Sequence, residues 1–138
     1  MDRAVTHEFV NPEALMRPSG FSHAVVASAG RLVFLAGQTG HAADMSITED
    51  FVEQFDAACG NVAVALDAAG GRPEDLVSVQ IFVTDVDEYT RRRKEVGDAW
   101  RRHFGTNYPA SGLFGVTRLV DPAAKVELMA VAVVPGDG

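Results

Sequence analysis

Residues 31–36, rich in Val, Leu and Phe, read as a strand, and apolar and polar residues alternate with a period of two along residues 76–84, 110–120 and 126–134, the pattern of strands that bury one face. In the first, Leu32 and Phe34 face one way and Val33 and Leu35 the other. In the second, Val77, Val79, Ile81 and Val83 share a face, and Ser78, Gln80, Phe82 and Thr84 take the opposite one. Residues 22–29 precede the first run across Gly30, a gap short enough for a hairpin, and Asp121-Pro122-Ala123-Ala124 reads as a turn joining the last two strands into another. A short strand is also expected over residues 6–11. Helical periodicity replaces alternation from Phe51 onward. Phe51, Phe55, Ala58, Val62, Leu66 and Ala69 recur at three- and four-residue steps, one face of a helix of about six turns. Ser46-Ile47-Thr48-Glu49 has capping-box spacing ahead of it, and Gly70-Gly71 with Pro73 supplies a stop. A second helix is predicted over residues 88–104, capped by Asp85-Val86-Asp87 and carrying Tyr89, Val96, Ala99, Trp100 and Phe104.

The predicted order is β(β)β–α–β–α–β–β, an α+β fold with two helices on one face of a mixed sheet. No repeat or linker interrupts residues 1–138, so one domain is expected. The opposite sheet face is apolar at Val25, Leu35, Phe114 and Val131 in this reading. With both helices spent on one side, that face needs another cover, and a closed symmetric oligomer provides one.

Composition narrows the function. Apolar residues make up 47% and charged residues 22% of the chain, as in an ordinary globular protein. A net charge of −7 repels polyanions, so nucleic acid is not an expected partner. Arg91-Arg92-Arg93-Lys94 and Arg101-Arg102 make the second helix basic. Successive helical residues point to different sides, so a solvated face paired with the acidic first helix is expected. The leading residues MDRAVTHEFV lack a cationic start and apolar core, and no apolar run approaches the ~20 residues of a membrane helix. A cytoplasmic location without a membrane partner follows. Cys59 is the only cysteine, excluding an internal disulfide, and its place in the first helix suits a buried small hydrophobe. His7, His23, His41 and His103 show no metal-ligand spacing.

The chemistry concentrates near the C-terminus. Glu127 lies mid-strand between Val126 and Leu128, where a carboxylate is costly unless something needs it. Ser111 and Gly112 open the preceding strand just after a proline-fixed bend. Together they read as two walls of one pocket. Gly37-Gln38-Thr39-Gly40 ends an earlier strand with glycines that allow close backbone approach; on residues alone it reads first as a turn. Ser111 has no His–Asp support in the sequence, so nucleophilic serine chemistry is not expected.

Taken in order, these residues resemble the reactive-intermediate deaminases, the RidA/YjgF-like family, over nearly the whole chain. Gly20-Phe21-Ser22-His23-Ala24-Val25 is similar to the family's Gly-Pro-Tyr-Ser-X-Ala-Val, and Leu35-Ala36-Gly37-Gln38 to its Ser-Gly-Gln strand end. Leu66-Asp67-Ala68-Ala69-Gly70, residues 79–85, Tyr108-Pro109-Ala110, Val116-Thr117-Arg118-Leu119 and Val126-Glu127-Leu128 complete the set. The resemblance implies a chorismate-mutase-like trimer whose small-molecule clefts lie between subunits. It also implies hydrolysis of imines and enamines to 2-keto acids and ammonia without metal or organic cofactor. Glu127 takes the place of the glutamate that handles the attacking water, and Gly37, Gln38, Phe21 and Tyr108 fall at ligand-binding positions. Ser111 departs from the pattern, standing where active members carry an arginine that clamps the substrate carboxylate. A hydroxyl gives one neutral hydrogen bond of ~1 kcal/mol where a charged pair gives ~2–3 kcal/mol. Phe21 in place of tyrosine and Met129 in place of a common acidic residue reduce polarity further. The expected substrate is therefore an imine or enamine other than a simple 2-iminoacid. The alternative is a non-catalytic small-molecule-binding trimer in which Glu127 merely accepts hydrogen bonds at an interface. Endoribonuclease and translation-inhibitor labels carried by some members find no support in the charge. Arg118 matches a family arginine of structural role, for which an interface ion pair is expected.

Overall fold

The computed structural model describes residues 7–136. In chain order the elements are β1 (Glu8–Val10), β2 (Ala24–Val26), β3 (Arg31–Gln38), α1 (Phe51–Ala68), β4 (Leu76–Val83), α2 (Val86–Arg91), α3 (Arg93–Phe104), β5 (Ala110–Gly115) and β6 (Val126–Val134). A mixed sheet of order β3-β6-β4-β5 carries α1 and α3 on one face, and β1 pairs separately with β2. Thr6, the first residue of the strand expected over 6–11, lies outside the described residues.

The core forms where the α1 stripe meets the sheet. Phe51, Phe55, Ala58, Cys59, Val62 and Leu66 pack on Leu35, Val79, Val83 and the alternate β6 residues Val126, Leu128, Ala130 and Ala132. From α3, Val96, Ala99, Trp100 and Phe104 close the layer. Cys59 is fully buried, and burial pushes its thiol far above the ordinary range, which leaves it inert as a nucleophile. Gly70 takes φ of 85° beyond the α1 C-terminus, the left-handed stop the sequence predicts.

Both expected hairpins are replaced by longer-range pairings. β2 pairs with β1, while β3 runs antiparallel to β6. Gly30 sits so close to the Val134 carbonyl that any side chain there would collide with it, delivering β3 directly beside the long β6 rather than back along β2. The Asp121 turn does form, with the Ala124 N–H donating to the Asp121 carbonyl at 2.9 Å. Yet β5 ends at Gly115, and β4 lies between β5 and β6, parallel to the first and antiparallel to the second. β4 is apolar on both faces, Val79 and Val83 on one and Phe82 on the other, which suits a central strand.

The helices differ at their ends. Asp50 caps α1 in place of Ser46, accepting from the Glu53 N–H at 3.0 Å, while Ser46 is bound by Asp44. The second helix breaks at Arg92, whose backbone (φ −111°, ψ 24°) separates α2 from α3. That break lets Arg92 reach Asp50 at 2.6 Å and Glu95 at 2.9 Å. Asp85 caps α2 as expected. Gln54, fully buried, donates to the carbonyls of Thr48 and Ala123 and accepts from the Lys125 N–H, tying α1 to the connection before β6.

Leu35 corrects the expected makeup of the open sheet face. It belongs to the helix-side core, because the strand alternation that exposes Leu32 and Phe34 turns it inward. The open face instead carries Phe34 (75% exposed), Leu32 (64%), Phe114 and Met129, with Phe82 stacked on Phe114 at 5.7 Å. Among the described residues nothing covers it, and no helix is long and apolar enough to cross a membrane.

Asp50→Ala removes both the α1 cap and the Arg92 pair and is expected to lower stability by ~1–2 kcal/mol, with Asp50→Asn recovering most of it, as read by urea unfolding. Acid should weaken the same network. The Arg92 guanidinium holds the Asp50 carboxyl below its ordinary range; burial opposes ionisation of Asp56, but His103 and Arg102 outweigh it. The unfolded carboxylates therefore bind protons first, so this stabilisation is present above pH ~4 and is lost as pH falls through the lowered folded values. Urea midpoints at pH 7, 5 and 3 should be similar for the first two and lower for the third.

Candidate functional site

Glu127 pairs in register with Phe82, on the sheet face turned away from the helices. A bulge in β3 between Leu35 and Gln38 brings Gly37 beneath its carboxylate, and a Cβ on Gly37 would occupy the carboxylate's own position. This explains the glycine: the strand end is shaped around an acid. Among the described residues the Glu127 carboxylate has no hydrogen bond or ion pair. It stands half-buried on the apolar open face.

Ser111 is placed elsewhere. It pairs with Val79 in the parallel β4–β5 ladder, on the helix side, whereas Gly112 and Phe114 point to the open face. The single-pocket expectation for Ser111 and Glu127 thus fails within one chain; period-two alternation sends the two to opposite faces. Past the bulge Gln38 pairs with Leu128, a core-side residue, so only the Gly37 backbone accompanies Glu127.

Phe21 and Tyr108 are brought together around the start of β5. The Ser22 hydroxyl donates to the Tyr108 carbonyl at 2.6 Å, its N–H donates to the Pro109 carbonyl, and Ser22 bridges Ala110. Phe21 meets His23 edge-on at 5.3 Å, and His23 contacts the Met16 carbonyl, so His23 braces the loop. Beside this clip, between α3 and the sheet, opens a cavity of about 530 Å³ with Tyr108 and Trp100 in its wall. The Trp100 indole N–H donates to the Asn107 carbonyl, which fixes the ring.

The basic helix proves to be sorted rather than uniformly solvated. Arg92 pairs with Asp50, and Arg102 with Asp56, as a helix-to-helix match predicts, and Arg92 also pairs with Glu95 of α3. Arg93, Lys94 and Arg101 line the cavity instead. Residue spacing missed this because the break at Arg92 resets the phase of the helix. Arg101 is held above its ordinary range by the Tyr108 hydroxyl and by Asp98. Within the chain Arg118 donates to the carbonyls of Leu119 and Val120; the ion pair expected of it is one to a second copy.

A clasp that sequence reasoning did not anticipate closes the loop after β3. His41 bonds the Thr39 hydroxyl at 2.6 Å through Nδ1 and Asp121 at 2.8 Å through Nε2, and Asn61 donates to the carbonyls of Thr39 and His41. The Ala123 N–H and His41 hold the Asp121 carboxyl below its ordinary range. These residues are far apart in sequence, so no local motif announces them. Among the described residues no His, Cys, Asp or Glu cluster could hold a metal.

A family model described as endoribonuclease L-PSP matches residues 12–134. The chain belongs to this family, the RidA/YjgF proteins. This Rid protein is 31% identical over 135 residues to Protein DfrA of Myxococcus xanthus, covering 96% of this chain and 97% of that one. It is 26% identical to a 2-iminobutanoate/2-iminopropanoate deaminase of Capra hircus, over 82% of this chain and 79% of the relative. In structure it matches a Rid-family protein of unknown function, YyfB from Yersinia pestis, with a TM-score of 0.84 at 27% identity over 94% and 99% of the two chains. The α+β fold expected from the resemblance is thereby established.

Gly37→Ala should cost ~1–2 kcal/mol by forcing the Glu127 carboxylate aside, and the cost should vanish in a Glu127→Ala background. A double-mutant cycle by chemical denaturation measures that coupling.

Proposed function

We propose that this Rid protein is a cytoplasmic, trimeric hydrolytic deaminase acting on an imine or enamine other than a simple 2-iminoacid. The observation that carries the reading is Glu127: a carboxylate over Gly37 with no partner among the described residues, set in an apolar face that requires a cover. A second copy laid against this face buries Phe34, Leu32 and Phe114 and converts the open surface into a cleft. Such a cleft is also the arrangement in which Ser111 of one copy can approach Glu127 of another.

The chemistry follows from the carboxylate. An enamine first tautomerises to its imine. Glu127 accepts a proton from water as the oxygen bonds to the imine carbon and passes it to the nitrogen, giving a carbinolamine; it then takes the hydroxyl proton and delivers it to the amine, so that the C–N bond breaks as the C=O bond forms. Imine and water become carbonyl and ammonia with no redox change. The deaminase name of the Capra hircus relative favours this class of reaction. Ser111 narrows the substrate, because a neutral hydroxyl holds a carboxylate less strongly than a guanidinium. RNA cleavage is disfavoured by the net charge of −7.

The test is ammonia release from a panel of imines generated in situ, with sedimentation to read the assembly. A trimer whose turnover falls ~100-fold or more in Glu127→Gln supports the proposal. An intact trimer with no turnover of any imine leaves the second reading, a non-catalytic binding trimer, which the neutral Ser111 favours. A monomer overturns the cleft.

A further inference from the structure

We propose that Thr39 is a second reactive centre, a hydroxyl that accepts an acyl group from an activated ester or thioester, with His41 as its base and Asp121 positioning that base. Thr39 Oγ1 lies 2.6 Å from His41 Nδ1, and His41 Nε2 lies 2.8 Å from a carboxylate oxygen of Asp121. A hydroxyl, an imidazole and a carboxylate in one hydrogen-bonded row are the arrangement that activates a hydroxyl, whatever the chain order of the three.

The direction of the protons decides the roles. The Ala123 N–H and His41 hold the Asp121 carboxyl below its ordinary range, so near neutrality it is ionised and can only accept. The Nε2 proton of His41 therefore points at Asp121, and in the neutral ring Nδ1 is left as the acceptor. Thr39 then donates its hydroxyl proton to Nδ1, the direction a nucleophile needs. The His41 side chain is 11% exposed, so water competes little for the base, and half-buried Thr39 keeps part of its surface in solvent. The loop backbone is anchored without this row. Asn61 donates to the carbonyls of Thr39 and His41, and Gly40 lies against the Gln54 backbone, where a Cβ would come within 2.7 Å of a carbonyl oxygen.

In the reaction the Thr39 oxygen bonds to the acyl carbon as its proton passes to His41 Nδ1, and Asp121 offsets the imidazolium charge. The C–O or C–S bond of the substrate breaks as Nδ1 gives that proton to the departing alcohol or thiol, leaving an ester on Thr39. Water repeats the sequence and releases the carboxylic acid, with no redox change. A nucleophile and a base suffice for aryl esters and thioesters, whose leaving groups need little help, and this sets the substrate class.

p-Nitrophenyl acetate mixed with the full chain tests this. Nitrophenolate should appear in an initial burst of about one per chain, and peptide mass mapping should place the acetyl group on Thr39. Thr39→Val should abolish the burst, Thr39→Ser should keep it, and His41→Gln should slow it ~100-fold or more, each with unchanged circular dichroism. The ring nitrogen resonances of neutral His41 should place its proton on Nε2, and Asp121→Asn should shift it toward Nδ1. Absence of a burst, acetyl groups found only on lysines or the N-terminal amine, a burst that survives Thr39→Val, or a His41 proton resident on Nδ1 would each overturn the assignment. The mass mapping and the ring resonances need no variant. None of these measurements uses an imine, so the proposal is decided separately from the hydrolytic reading of Glu127.

Discussion

The packing of α1 against β6 sets the position of everything else. β6 presents Val126, Leu128, Ala130 and Ala132 to the helices, and the α1 stripe from Phe51 to Leu66 covers them. Because strand side chains alternate, the same contact fixes Glu127, Met129 and Val131 on the other face. A slip of one residue would bury the carboxylate beneath α1 and expose the core, so the register of the hydrophobic contact also determines where the acid stands. Gln54 reinforces that register by binding the backbone just before β6 from within the helix layer.

The two faces of the sheet consequently hold different chemistry. On the open side the Glu127 carboxylate stands beside Phe82, which stacks on Phe114, over a glycine that makes room for it. On the helix side Ser111 lies among core-facing neighbours, and the cationic cavity opens beyond Tyr108. Neither half resembles a complete site alone.

Much of this was legible in the sequence, and the failures share a cause. The α1 stripe, its Gly70 stop, the β4 alternation and the midstrand Glu127 are local patterns, and each appears where its period places it. The hairpins were misread because Gly30 and Asp121-Pro122 are real turn signals that say nothing about which distant strand takes the hydrogen bonds; β4 and β6 outcompete the sequence neighbours. A hairpin would have put Ser111 and Glu127 in one pocket of a single chain; with β4 between their strands, they can meet only between two copies. The Thr39–His41–Asp121 clasp was invisible because its members meet only after β3 and residues 116–125 are brought side by side.

The irregular turn at Arg92 has one more consequence. Arg93 and Lys94 line the cavity beside Arg101, while Arg92 and Arg102 are paired with Asp50 and Asp56, so the molecule's electrical character depends on scale. Viewed from a distance the protein is an anion, and an isoelectric or mobility measurement would register nothing else. A solute small enough to enter beside Trp100 meets the opposite sign.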